Sequence, residues 1–330
     1  MPYDKPFLTY EEQLKKLINN YGLSSIETDK IDISLLKTIS YYDLVNGYKE
    51  CFMENDKFIS GTKLIDIFTF NSVDKKFQNI LFLASIYVEN IFKTKMSYLI
   101  SKNRGVDISE YLNPTKYHSS NPGRLKKMND TLNDIKKVYH FSKDNPTKYY
   151  RENHNHIPPW ILFKNVSFNT IIDLFSFLNK NEKLELISEY DFFITNKISD
   201  DEKIEMFKNM LNIVRKFRNK IAHNYKIIGI HLDKTMLHLR NIRTILPYKL
   251  ISLGDIKNKR GENDLYSMVL SLLFLLEPYF LKLFFIYELN NFKYPGYINY
   301  FNKCNFPANF IENLQITSEK LREDLYMKFK

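Results

Sequence analysis

The residues best suited to chemistry lie in one short basic segment. Four residues separate Arg218 from His223, and Asn219 follows the arginine directly. A guanidinium binds a phosphate through two parallel N–H groups, and an imidazole can exchange a proton near neutral pH. These groups could cut RNA without a metal. His223 would take the proton of a 2′-hydroxyl, Arg218 would stabilise the phosphoryl oxygens, and Asn219 would orient the histidine or bind the phosphate.

The charge around this segment favours a polyanionic partner. No Asp or Glu occurs from Phe207 to Leu232, whereas six Lys or Arg do. The whole chain carries a formal net charge of +10 and has a pI near 9.2. We expect RNA to be this partner, since nucleic-acid backbones are bound mainly by basic side chains. The lysines of this segment that are predicted to contact RNA are Lys208, Lys216, Lys220 and Lys226.

A helix over residues 200–224 is predicted to position these groups. At 100° per residue, one stripe of apolar side chains faces the core. Its members are Met210, Val214, Phe217 and Ile221. Arg215, Asn219 and His223 recur every four residues on the opposite side, which makes Arg215 a supporting residue of the predicted site. Arg218 lies about 140° from His223, so a single unbroken helix does not bring the two together.

Three arrangements could bring Arg218 to His223. The helix could break near Ile221, or the long arginine side chain could reach around it. Alternatively, a second copy of the same helix could complete the site. The third arrangement predicts a symmetric homodimer in which two motifs face each other.

The distribution of apolar and polar residues divides the chain into three parts. Residues 1–73 are predicted to form an N-terminal helical module, and 74–245 a helical domain. Residues 246–330 are predicted to form a C-terminal helical region that packs on this domain. Apolar residues at alternating steps of four and three predict a long helix over 74–102.

Residues 103–157 interrupt the helical domain with a polar, basic segment. We predict an exposed insertion with one helix near 123–139. Its predicted RNA-binding residues are Arg124, Lys126, Lys127 and Arg151. A second Arg-x₄-His pair, Arg151 with His156, lies here without an apolar stripe, and we interpret it as a chance match or as part of an RNA-binding loop. Just beyond it, Trp160 is predicted to anchor the core.

Cysteine usage and hydropathy argue against several protein classes. Cys51 and Cys304 show no metal-ligand spacing, which predicts a reduced, cytoplasmic protein without a metal site or cofactor. No signal sequence is expected from the first residues. The longest apolar stretch lies within 263–290 and is interrupted at Pro278, so it is too short to span a membrane. We predict one buried core helix or dimer-interface helix there.

The motif and its surroundings resemble a known family. The segment Arg218-Asn219-Lys220-Ile221-Ala222-His223 resembles the RN-x-x-AH core of HEPN-domain ribonucleases. The wider chain resembles the Abi-like abortive-infection family of the AbiD/AbiF type, through four blocks in matching order. These blocks are residues 5–13, 41–48, 77–93 and 158–178.

The resemblance implies an all-α fold, built as a HEPN-type helical bundle, with a metal-independent ribonuclease centre at a dimer interface. It also implies a role in phage defence or in a toxin–antitoxin pair, which a structured noncoding RNA restrains in some relatives. Glu89 matches a glutamate near the family's active site, and an ion-pair or surface role is the alternative for it. The chain departs from the family pattern at Lys93, Lys164 and Asn169.

Two other functions are compatible with the same residues. A non-catalytic protein could hold a structured RNA on this basic surface without cutting it. The pattern Arg-x₄-His-x-Tyr, which ends at Tyr225, resembles HEPN toxins whose tyrosine is modified by a nucleotidyltransferase antitoxin. Such an antitoxin partner would make Tyr225 a regulatory site.

Overall fold

Helices account for nearly all regular structure in residues 5–246 and 250–328, the part of the chain that the computed structural model describes, with side chains as far as residue 323. The helices before the motif are α1 (Tyr10–Tyr21), α2 (Lys30–Thr38), α3 (Leu64–Arg104), α4 (Ile108–Tyr111), α5 (Pro122–Phe141), α6 (Thr147–Asn153), α7 (Pro159–Asn165), α8 (Phe168–Ser176) and α9 (Lys180–Ile187). The motif helix and those after it are α10 (Asp200–Ala222), α11 (Leu239–Ile245), α12 (Leu253–Lys257), α13 (Leu265–Leu275), α14 (Tyr279–Asn290), α15 (Tyr297–Lys303) and α16 (Phe310–Lys328).

The segment between α2 and α3 contains the shorter elements. These are a π-helix (Tyr42–Asn46), a 3₁₀ turn (Lys49–Cys51), and an antiparallel hairpin of strands β1 (Met53–Glu54) and β2 (Lys57–Phe58). Further 3₁₀ turns are Pro114–Lys116 and Asp191–Phe193. The hairpin is the whole of the β-structure in the described residues, so the all-α prediction is confirmed.

α3 is the longest helix, and it begins earlier than the helix predicted over 74–102. Its start at Leu64 is stabilised because the carboxylate of Asp66 accepts a hydrogen bond from the N–H of Lys63 (2.9 Å). Buried Asn71 and Asp74 lie among its core-facing residues and hide the apolar periodicity there.

The predicted boundary between residues 73 and 74 falls inside α3. The division into three parts stays a prediction. Its segments 1–4, 247–249 and 329–330 lie outside the described residues.

The buried carboxylate of Asp74 joins distant parts of the chain. Its Oδ2 accepts hydrogen bonds from the Tyr48 hydroxyl (2.7 Å) and the Gln78 amide (2.7 Å), and its Oδ1 accepts one from the Tyr300 hydroxyl (2.7 Å). We call these four residues the Asp74 network. Burial raises the pKa of Asp74, and the hydrogen bonds from Tyr300 and Tyr48 offset part of that rise. The network fixes both the segment after the π-helix and α15 to α3.

The insertion predicted to be exposed at 103–157 is packed into the fold, so that prediction is wrong in part. α5 confirms the helix predicted near 123–139, but α4 and α6 also form, and α5 packs on α8. Tyr111 and Met128 are buried, and the Tyr111 hydroxyl donates to the carbonyl oxygen of Ile157 (2.8 Å). These few apolar side chains, widely spaced among lysines and asparagines, suffice to attach the segment to the core.

The single apolar helix predicted over 263–290 is wrong. Two helices, α13 and α14, form instead, because Pro278 between them has no N–H to continue a helix. α13 is buried along its whole length and packs against α10. Lys282 at the start of α14 is fully buried and pairs with Glu277 (3.1 Å). In the described chain, no helix has both the length and the hydropathy needed to cross a bilayer.

Trp160 does not anchor the core, contrary to the prediction. It lies near the start of α7 with 49% of its surface exposed. The buried side of the same helix is formed by Leu162 and Phe163. Size and apolar character alone therefore mislead at the exposed start of a short helix.

Replacing Asp74 by alanine should destabilise the fold by about 3 kcal/mol, because two tyrosine hydroxyls and an amide would lose their buried acceptor. Urea unfolding measures the difference. Glu54→Ala removes a carboxylate from the exposed hairpin and is the matched control, with an expected change within about 0.5 kcal/mol. Equal stability of the Asp74→Ala variant and the unchanged protein would contradict the role given to Asp74.

Candidate active site

α10 carries the predicted catalytic residues and confirms the helix predicted over 200–224. It begins with a capping box: the Glu202 N–H donates to the Ser199 hydroxyl (3.3 Å), and the Ser199 N–H donates to the Glu202 carboxylate (2.8 Å). The apolar stripe faces the core, where α10 packs against α3 and α13. Its members Met210, Val214 and Phe217 are fully buried, and Ile221 is half-buried.

The helix ends in a Schellman turn at the motif itself. Asn224 adopts a left-handed conformation (φ 61°). The N–H of Tyr225 donates to the carbonyl of Lys220 (3.0 Å), and that of Asn224 donates to the carbonyl of Ile221 (2.9 Å). His223 is the capping residue, and its side chain is exposed. Within the described residues, no hydrogen bond, ion pair or ring contact engages its imidazole, which is available to a ligand.

Two side chains of α3 donate hydrogen bonds to the main chain of this turn. Lys75 Nζ donates to the carbonyl oxygen of Asn224 (3.1 Å), and Gln78 Nε2 donates to that of Tyr225 (3.1 Å). The same Gln78 amide bonds Asp74, so the Asp74 network extends to the main chain beside the histidine. Burial lowers the pKa of Lys75, and the charge of Asp74 opposes that shift.

Arg218 is directed towards α3, where it meets the predicted supporting residue Glu89. Its Nη2 lies 3.0 Å from Glu89 Oε2, and its Nη1 donates to Asn219 Oδ1 (3.2 Å). Glu89 also pairs with Lys93 (2.8 Å). No contact joins Arg218 to His223 in the part of the chain that the structure describes. In this conformation, a single copy of the chain does not bring the Arg218 guanidinium and the His223 imidazole together.

Arg215 lies on the same face of α10 as His223, as predicted from the spacing. Its Nη2 donates to Asn212 Oδ1 (3.4 Å). Its Nε is buried and has no hydrogen-bond partner among the described residues, and the same holds for the Nε of Arg218. A buried N–H without an acceptor is unfavourable. Both guanidinium groups would therefore gain from an acceptor that this copy of the chain does not supply.

The four lysines predicted to bind RNA in this segment do not lie together. Lys216 donates to a main-chain carbonyl (2.9 Å) and to the Thr235 hydroxyl (2.7 Å), which fixes the loop after α10. Lys226 forms an ion pair with Glu50 in the N-terminal part of the chain (3.7 Å). Lys220 lies near the Tyr225 ring. Only Lys208 lies close to the predicted basic residues of α5, whose charges lower its pKa further after the larger effect of burial.

Three of the RNA-binding residues predicted in the insertion lie at the start of α5. Lys127 pairs with Asp173 on α8 (2.5 Å), and Arg124 donates to the carbonyl oxygen of Ser176 (3.2 Å). Lys126, which lies between them in sequence, is exposed. The start of α5 thus presents basic side chains beside α8.

In the second Arg-x₄-His pair, the arginine has a structural role. The guanidinium of Arg151 donates to the carbonyl oxygens of Tyr139 (2.9 Å) and Ser142 (2.6 Å), and so fixes the connection between α5 and α6. His156 Nδ1 lies 2.7 Å from Asn155 Oδ1. Arg151 is therefore occupied by main-chain acceptors, unlike Arg218 with its carboxylate partner.

A cavity of about 680 Å³ opens beside the end of α10. The π-helix supplies Tyr42 and Asp43 to its wall, α3 supplies Lys75, and the end of α10 supplies Lys220 and Tyr225. Its wall also includes Glu50 and Lys226, so three ammonium groups and two carboxylates lie beside the exposed rings of Tyr42 and Tyr225. Within the described residues, no three His, Cys, Asp or Glu side chains are grouped as metal ligands.

Comparison with models of protein families identifies the family of this chain. A model of the Abi-like protein family matches residues 34–229, which is more than half of its length. The chain belongs to the Abi-like protein family. Membership supports a function in abortive infection. No curated protein and no solved structure gave a significant match.

The region that matches the Abi-like family includes Glu89 and all of α10, and it also includes residues that sequence reasoning missed. Asn224 carried a readable signal, because asparagine is the usual alternative to glycine in the left-handed position after a helix. Lys75 and Gln78 carried none. Their partners are main-chain carbonyls that lie 149 and 147 residues further along the chain.

Asn224→Val should destabilise this Abi-like protein by about 1–2 kcal/mol, because a β-branched residue is strained at positive φ. Asn224→Gly should leave the free energy of unfolding within about 0.5 kcal/mol, because glycine adopts that conformation freely. Chemical unfolding of the two variants and the unchanged protein makes the comparison. If valine and glycine gave the same stability, the turn would not depend on the left-handed conformation.

Proposed function

We propose that this Abi-like protein is a metal-independent endoribonuclease of an abortive-infection or toxin–antitoxin system, with Arg218 and His223 as its catalytic residues. The arrangement at the end of α10 carries the proposal. Glu89 orients the guanidinium (3.0 Å), and the imidazole is exposed and uncommitted within the described chain. Five residues of helix place the two groups about 7.5 Å apart along the axis and about 140° apart around it, so a bound RNA or a second copy of the chain must bring them to one phosphate.

The proposed reaction is an intramolecular transesterification of RNA. The His223 imidazole accepts the proton of a 2′-hydroxyl, and that oxygen attacks the adjacent phosphorus. The bond from phosphorus to the 5′-oxygen breaks, and this oxygen takes a proton from a general acid. The products are a 2′,3′-cyclic phosphate and a 5′-hydroxyl. Arg218 stabilises charge on the non-bridging oxygens, while Asn219 helps to hold the guanidinium.

A second copy of the chain supplies the general acid in this proposal. Leu83 and Tyr87 on α3 and Phe284 on α14 are exposed and line one apolar groove. Ile86 is also exposed and lies one turn before Glu89, so the apolar surface extends to the edge of the site. Such surfaces are typical of interfaces. Symmetric pairing through this one would bring two α10 ends together and give each site a second histidine.

Regulation at Tyr225 is a second proposal, and the exposure of this residue favours it. Its side chain is 61% exposed and forms part of the cavity wall, with Lys220 Nζ 5.9 Å from the ring centre. A nucleotidyltransferase partner could reach the hydroxyl. Modification there would place a bulky charged group beside His223 and block the site.

His223→Ala should reduce RNA cleavage by about 10²-fold or more, because the catalytic base is removed. Purified protein is incubated with single-stranded RNA in the presence of EDTA, and the 2′,3′-cyclic ends are quantified. His156→Ala changes the second Arg-x₄-His pair and is the matched control. It should cleave at the rate of the unchanged protein.

Three outcomes would count against the proposed enzyme. Undiminished cleavage by the His223→Ala variant would exclude this histidine as the base. Loss of cleavage in EDTA would exclude a metal-independent reaction. Tight RNA binding without cleavage by the unchanged protein would favour a protein that holds a structured noncoding RNA and does not cut it.

Phe284→Asp should shift the protein from dimer to monomer and reduce cleavage about as strongly as His223→Ala, since a charge is costly in an apolar interface. Sedimentation velocity gives the oligomeric state, and the RNA assay gives the activity. Phe141→Asp is the matched control, because Phe141 is 75% exposed near the end of α5. A Phe284→Asp variant that remains a fully active dimer would rule out this surface as the interface.

A further inference from the structure

One face of α10 forms a polar track that leads away from the motif. Lys208, Asn212, Arg215, Asn219 and His223 follow at steps of three or four residues, within about 80° around the helix axis. All of them lie outside the buried stripe. At a rise of about 1.5 Å per residue, the track is about 22 Å long.

The far end of this track meets basic side chains from two other helices. Lys127 of α5 pairs with Asp173 of α8 (2.5 Å), and the charges of Arg124 and Lys127 act on Lys208 of α10. Lys183 of α9 is close enough for Arg124 and Lys208 to influence it. The packing of α8 against α5 and α10, and of α9 against α10, brings the four basic residues together. We call them the basic cluster.

The positive charge of the basic cluster exceeds the negative charge of the carboxylates around it. Burial lowers the pKa of Lys208, and the charges of Arg124 and Lys127 lower it further, while Asp173 opposes the shift. Burial also lowers the pKa of Lys183, the charges of Arg124 and Lys208 add to that effect, and the charge of Glu182 opposes it. Since Asp173 is already paired with Lys127, a bound anion would relieve the remaining repulsion.

The spacing of the track suits a nucleic-acid strand better than a small anion. A small anion would need the basic cluster alone, whereas Asn212, Arg215 and Asn219 extend polar groups from it to the histidine. Single-stranded RNA carries phosphates at intervals along its length, and amide and guanidinium groups contact them without reading base sequence.

We propose that Arg124, Lys127, Lys183 and Lys208 form a second RNA-binding site, which holds phosphates of the substrate several nucleotides from the bond cut at His223. This inference rests on the ribonuclease function proposed above and adds a length requirement to it. A track of about 22 Å corresponds to roughly six stacked nucleotides, at about 3.4 Å for each nucleotide of a strand. RNA shorter than the track occupies the catalytic end alone and binds weakly.

Fluorescence anisotropy with labelled 2′-O-methyl oligonucleotides tests the site without turnover, because these probes lack the attacking hydroxyl. With the unchanged protein, affinity should rise as the probe grows from about 4 to about 8 nucleotides, and then level off. Lys183→Ala/Lys208→Ala should abolish the rise and weaken binding of the longer probes by about tenfold or more. The slope of log affinity against log salt should fall by about 1.4, or about 0.7 for each phosphate that is no longer neutralised.

Lys136→Ala/Lys137→Ala is the matched control, because it removes the same charge from the other side of α5. It should keep both the length dependence and the salt slope. Unchanged binding by the Lys183→Ala/Lys208→Ala variant, or an equal reduction in the control, would overturn the second site. If the double variant does not fold, Lys127→Ala repeats the test at an exposed side chain.

The second site and the ribonuclease function can fail separately. Length-dependent binding that needs Lys183 and Lys208, in a protein that cuts no RNA, would support the site and remove the enzyme. Cleavage by a protein whose probe binding ignores both lysines would support the enzyme and remove the site.

Discussion

The Asp74 carboxylate is the constraint on which the rest of the structure depends. A carboxylate this deeply buried is tolerated only when donors surround it, and its donors come from parts of the chain far apart in sequence. The segment after the π-helix and α15 must therefore both be in place before the interior of α3 is satisfied. Through Gln78, the same requirement extends to the turn that carries His223. Local geometry at the motif thus depends on the completed fold.

α3 acts as the common reference for both predicted catalytic residues. Glu89 fixes the direction of the Arg218 side chain. About three to four turns earlier on the same helix, Lys75 and Gln78 fix the main chain after His223. Because both sets of contacts start from one rigid helix, the separation of the guanidinium from the main chain that carries the imidazole is set within a copy. Closing that separation then falls to a ligand or to a second copy of the chain.

The sequence was most informative where one local rule applied, and least informative where distant residues decided the outcome. Spacing alone indicates the bounds and buried face of α10, and the family resemblance points to Glu89, whose contact with Arg218 no local pattern shows. Asp74 read as a break in an apolar pattern, because nothing nearby shows that Tyr48 and Tyr300 will surround it. Lys183 was overlooked for a related reason: its basic neighbours belong to other helices.

The capping box at the start of α10 has a consequence for electrostatics along the helix. Asp200, Asp201 and Glu202 place negative charge in the first turn, whereas no acidic residue occurs from Phe207 through the end of the helix. The side-chain charge along the helix therefore changes from negative in the first turn to positive towards the motif. A polyanion that lies along the helix is repelled by the acidic first turn and attracted by the basic residues after it. The electrostatic field therefore determines where the polyanion binds on this surface, and no base sequence has to be recognised.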